Sequence, residues 1–171
     1  MAQPTASLPE LPQIRTLYQE SVTSEHKARK LWTTLSRYKG KDAVMIAYKA
    51  SARALLANHD WNPYHKLQYL KEAMEWFKLA VKGSPPNIEI RFLRFAVQHH
   101  MPAFLGLSAP IERDKQIILT NISHFSRFQL SHEEAHRIAE FVWTSGRCTK
   151  DEEISLKQLF LDGESPDSKT K

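Results

Sequence analysis

The pentapeptide His132-Glu133-Glu134-Ala135-His136 has the spacing of a helix-borne zinc site. On a helix, His at i and i+4 can share one metal, and the Glu beside the first can activate the bound water. The same residues fit a plainer role. Ser131 with Glu134 three residues on is a capping box, which makes His132 a first-turn residue and gives Glu134 a backbone partner. No third ligand follows, because Ala139 and Val142 occupy the places where the extended motif has Gly and His. The reading is a surface helix start, with no catalytic residue and no metal or other cofactor assigned. His132, Glu133 and His136 are the residues a small metal-dependent hydrolase would use, and that is the alternative.

Four other residues are candidates for binding. Arg91 and Arg94 lie one turn apart in the apolar run Ile88–Val97. A buried guanidinium is costly unless paired, so they need a structural partner, with Glu89, Glu112 and Asp114 available, or a bound anion. Trp61 and Tyr64, with Trp76, could line a groove, although aromatics at helical spacing more often fill a core. His99-His100 ends a helix, where imidazolium would suit the negative end of the dipole. Cys148 has Arg147 and Lys150 nearby, which could lower its pKa, but no His/Asp arrangement accompanies it. Five glycines in 171 residues leave little room for a phosphate-cradling loop.

The elements that carry these residues are helical. Ser7-Leu8-Pro9-Glu10 reads as a start, and Leu11, Ile14, Leu17, Tyr18, Val22, Leu31, Trp32 and Leu35 form one stripe, weakened by a polar interval at Thr23–Lys30 that allows a kink. Asp42 caps a second helix and Asn62, with Pro63 at the first position, a third that runs to about Lys82. Asn87 caps a fourth, apolar almost all round and therefore central. Pro102 to Pro110 is a loop with one helical turn at Ala103-Phe104-Leu105. Further helices start at Ile111, after Ser131, and at Thr149-Lys150. No stretch alternates as a strand flanked by hairpin signals. The expected architecture is all-α, a single domain of about seven helices in antiparallel hairpins over residues 10–161. Residues 1–9 form a loose arm and residues 162–171 a disordered tail.

Ala73, Phe77, Ala80 and Pro85 fall at the spacing of the second helix of a tetratricopeptide repeat, and Pro86-Asn87-Ile88-Glu89 resembles the turn into a next repeat. The resemblance covers about 20 residues and is degenerate: Asn62-Pro63 interrupts the preceding helix, and Arg91 and Arg94 stand where apolar repeat residues belong. The run from Ala80 to Lys115 also resembles a family of small uncharacterised bacterial helical proteins, through Asn87–Arg94, Phe104-Leu105-Gly106 and Ile111-Glu112-x-Asp114-Lys115. That resemblance implies a helical protein, exported in many members, and lends no catalytic residues.

Composition fits these elements: 42% hydrophobic and 25% charged is globular, and no apolar run is long enough to cross a membrane. Twenty-four Lys+Arg against nineteen Asp+Glu give +5. By thirds of the chain the excess is +4, +3 and −2, and the basic residues alternate with apolar ones, as on a solvated helix face. Nucleic acid is therefore not expected as a partner; a protein or peptide is. Met1–Ser7 has the look of a mature exported start, which favours an exported over a cytoplasmic protein. The functional expectation is a non-catalytic helical binding or adaptor module.

Overall fold

The computed structural model describes residues 9–101 and 110–161, and among these there are eight α-helices and no strand. All but Pro9 of the expected N-terminal arm, the Ala103–Leu105 turn, Phe104-Leu105-Gly106 and the expected tail lie outside the described residues. The helices are α1 (Leu11–Ser21), α2 (Glu25–Ser36), α3 (Ala43–His59), α4 (Pro63–Gly83), α5 (Ile88–His99), α6 (Ile111–Asn121), α7 (His132–Thr144) and α8 (Lys150–Leu161). The all-α class expected from the periodicity is present. Contacts group into two compact units, residues 1–85 and 86–171.

In the first unit the single long helix expected over Leu11–Leu35 is two. The polar interval becomes a break, and Ser24 caps α2 by accepting the Lys27 N–H at 3.3 Å. α1 begins at Leu11, with Gln13 Oε1 accepting the Glu10 N–H at 3.2 Å. α3 packs on both α2 and α4. Six of its nine buried residues are small, Ala47, Ala50, Ser51, Ala52, Ala54 and Ala57, which lets neighbouring backbones approach closely. α4 returns Ala73, Met74, Phe77 and Ala80 to the interior. Full burial of Phe77 alone is worth roughly 1.5–3 kcal/mol. The hairpin is antiparallel: a Cβ added at Gly83, the end of α4, would lie 3.1 Å from the Ala43 Cβ at the start of α3.

The second unit holds α5 to α8 around Ile88, Phe95, Ile118, Ile122, Ala135, Ile138, Val142, Leu156 and Phe160. Nine of the twelve α5 residues are buried, as its all-round apolar pattern requires. A 3₁₀ segment, Ile122–Phe128, follows α6 without a break and ends on Gln129 at φ 56°. Its apolar residues, Ile122, Phe125 and Phe128, are three apart, a spacing that a continued α-helix would also suit. Ser131 caps α7 as expected, with Glu134 accepting the Ser131 N–H at 2.7 Å. Gly146 ends that stretch at φ 72°, the left-handed conformation that only glycine adopts without strain.

Candidate binding site

α3 and α4 are joined by three residues, Asp60-Trp61-Asn62, and the Asp60 and Asn62 side chains bond back to the backbone around them. The Asp60 N–H closes α3 on Leu56 O at 3.1 Å. Asp60 Oδ1 accepts the Asn62 N–H at 2.8 Å, and Oδ2 meets His65 Nδ1 at 3.1 Å. Asn62 Oδ1 accepts the Tyr64 N–H at 2.9 Å and its carbonyl takes the Lys66 N–H. The Asn62 N–H bond first, and then His65 and Lys66, hold the Asp60 carboxyl below its ordinary pKa against the opposing effect of partial burial. Asp60 is therefore a carboxylate throughout the physiological range, and the turn is fixed by short-range bonds.

What the turn presents is apolar. Trp61 is 90% exposed and Tyr64 81%, more than any other large hydrophobic side chains among the described residues. Neither belongs to a core stripe, so the core reading of these two aromatics gives way. The difference is positional: Trp61 sits in the link and Tyr64 in the first turn of α4, before the helix reaches its neighbours.

Behind the turn, α2, α3 and α4 interleave aromatic rings with cations. His65 stacks on Tyr69 with centroids 6.1 Å apart. The Arg53 guanidinium lies 3.8 Å from the Tyr69 ring centre and 4.7 Å from that of Trp32, and its Nε donates to Glu72 at 2.7 Å. Trp32 stacks on Trp76 at 5.8 Å, and Lys49 Nζ lies 5.0 Å over the Trp76 ring. Trp76 is thus half-buried packing, as its spacing predicted, and is separate in kind from Trp61 and Tyr64. Arg53 and Tyr69 carry no motif, and nothing in the sequence marks them as partners. Close by in sequence, His59 Nε2 is buried with no hydrogen-bond partner among the described residues.

Arg91 and Arg94 are accounted for inside the second unit. Asp114 of α6, fully buried, receives Arg91 Nη1 at 2.8 Å, Arg94 Nε at 2.6 Å and Arg94 Nη2 at 2.6 Å. Of the three acids the sequence offered, Asp114 is the one that ties α5 to α6. The adjacent Lys115 reaches the other way, to Arg147 O at 2.7 Å and Glu152 at 3.1 Å on the α8 side. Both arginines are occupied by protein, so the structure gives them a cross-link and not an open anion pocket.

His132 and His136 both lie against Phe160, at 5.4 and 5.7 Å between ring centres, and His136 also against Trp143. Glu133 pairs with Arg137, and Glu134 completes the capping box. Among the described residues no three His, Cys, Asp or Glu side chains converge as a metal site would need. Two residues differ from what the sequence suggests. The imidazolium expected of His99 is disfavoured at the helix end: burial first, then His100 and Arg147, lower its pKa, and Nδ1 accepts from Arg147 Nε at 3.3 Å. Cys148 is not activated by its basic neighbours: burial and Glu152 raise its pKa, and the thiol faces Val142 O at 3.5 Å.

No family model matches the chain, and no curated protein or solved structure matches it either.

Proposed function

We propose that the chain is a helical binding module, without catalysis of its own, that takes a protein or peptide segment at the Asp60–Tyr64 turn. The observation that carries this is the pair Trp61 and Tyr64, 90% and 81% exposed on a turn tied by the Asp60 and Asn62 side chains. Trp and Tyr are the side chains most enriched at the energetic centres of protein interfaces, and they have few rotatable bonds to immobilise. A turn held by Asp60 and Asn62 has little conformational freedom left to lose on binding. The repeat-like part of the reading rests on the spacing of Ala73, Phe77 and Ala80 in the sequence, three residues that α4 buries.

Magnitudes set the affinity to expect. Covering two large aromatics removes about 300–500 Å² from water, a gross gain of roughly 8–12 kcal/mol. Association costs about 4–15 kcal/mol, so this turn alone supports about micromolar binding at best, and a stable complex needs further contacts.

Selection of a phage-displayed random peptide library on the folded protein tests the reading. Selected peptides are expected to lose roughly 30-fold in affinity, about 2 kcal/mol, on Trp61→Ala and more on Trp61→Ala/Tyr64→Ala. Peptides that bind the double variant as tightly as the parent would place recognition elsewhere.

A further inference from the structure

Charge divides between the two units in a way the thirds of the sequence obscure. Residues 1–85 hold thirteen Lys+Arg and seven Asp+Glu, which is +6, and residues 86–171 hold eleven and twelve, which is −1. Within the first unit most acids are already engaged. Glu20 pairs with Lys27, Glu25 with Arg29, Glu72 with Arg53 and Glu75 with Lys78, while Asp42 caps α3 through the Met45 N–H.

Arg37, Lys39, Lys41 and Lys82 are exposed and have no ion pair among the described residues. Their positions along the chain all fall at one end of the α3–α4 hairpin. Arg37 to Lys41 link α2 to α3, and Lys82 precedes Gly83, whose added Cβ would touch Ala43 at 3.1 Å. The link is held in shape. Lys49 Nζ donates to Ser36 O at 2.9 Å and Tyr38 O at 3.1 Å, and the Tyr38 hydroxyl accepts the Asp42 N–H at 3.1 Å. The Tyr38 ring folds onto Gly40, where an added Cβ would collide with the ring and its hydroxyl. The aromatic of this link is spent inside it, which leaves the three cations around it.

An acidic protein segment and a nucleic acid would use such an end differently. Exposed ion pairs with carboxylates are worth roughly 0–1 kcal/mol each, and four of them fall short of an association cost of about 4–15 kcal/mol. A duplex carries one phosphate charge per roughly 1.7 Å and a condensed layer of counterions, so the same four cations gain by releasing those ions. No free aromatic of this link could stack on a base. We propose that this end of the first unit is a sequence-independent contact for the phosphate backbone of nucleic acid. It lies at the opposite end of α3 from Trp61, about 25 Å along a 17-residue helix, and stands independently of that turn.

Fluorescence anisotropy with a labelled duplex of arbitrary sequence, read between 50 and 200 mM NaCl, tests it. Four phosphate contacts predict a slope of log K against log salt near −3.6, a loss of roughly 100-fold over that range. The variant Arg37→Gln/Lys39→Gln/Lys41→Gln should flatten the slope by about 3. A control with equal charge loss elsewhere, Lys71→Gln/Arg113→Gln/Lys150→Gln, should keep it. Absence of salt-dependent binding, equal flattening in the control, or equal affinity for polyglutamate or anionic lipid vesicles would each overturn the proposal.

Discussion

Asp114 has no solvent exposure and takes two guanidinium groups, so its substitution isolates what one residue does. Removing one partner of a buried ion pair leaves uncompensated charge and costs about 3–5 kcal/mol. Asp114→Ala should therefore lower stability by about that amount in denaturant titration, while Arg91→Ala, which leaves Arg94 paired, should cost less. The sequence showed that Arg91 and Arg94 needed an acid and named three, but choosing among them requires the α5–α6 pairing, which no local spacing encodes. His99 makes a second prediction at this scale. Its folded pKa lies below the ordinary 6.5, so the unfolded chain binds the proton more readily. Stability should fall as pH drops through about 6.5, and His99→Gln should show a shallower fall between pH 7.5 and 5.5 in urea unfolding. A burial-driven shift of this kind is invisible in sequence, where His99-His100 looked like a charged helix end.

Elements were legible where a cap or a stop was present. Asp42, Asn62, Asn87 and Ser131 each accept a backbone N–H at the helix start the sequence assigned them. Asn87 is the most telling, since its Oδ1 takes both the Glu89 and Ile90 N–H groups and the residue is 8% exposed. Asn87→Ala should cost about 1–2 kcal/mol by thermal or chemical unfolding. Gly146 tests backbone conformation without packing, because nothing lies within 4 Å of an added Cβ at φ 72°. Gly146→Ala should cost about 1–2 kcal/mol through the left-handed conformation alone. The break between α1 and α2 was half legible, in the polar interval, but not as a new helix start. The 3₁₀ segment was not legible, since Ile122, Phe125 and Phe128 also suit a continued helix and only the tertiary core decides otherwise.

Across the molecule, the site and the charge were legible to different degrees. Trp61 and Tyr64 stood out by residue type, yet their exposure depends on how short the α3–α4 link is and on where the packed length of α4 begins. The net charge was plain from composition, but its meaning follows from the boundary at Pro85, which places +6 on one unit and −1 on the other. Whether the turn between α3 and α4 is the binding surface is read directly by 5-fluorotryptophan NMR. The protein has four tryptophans, and Trp61→Phe identifies the Trp61 resonance. On adding a selected peptide, that resonance should move while those of Trp32, Trp76 and Trp143 stay in place. A bound peptide that leaves the Trp61 resonance where it was and displaces another would place the binding surface elsewhere than this turn.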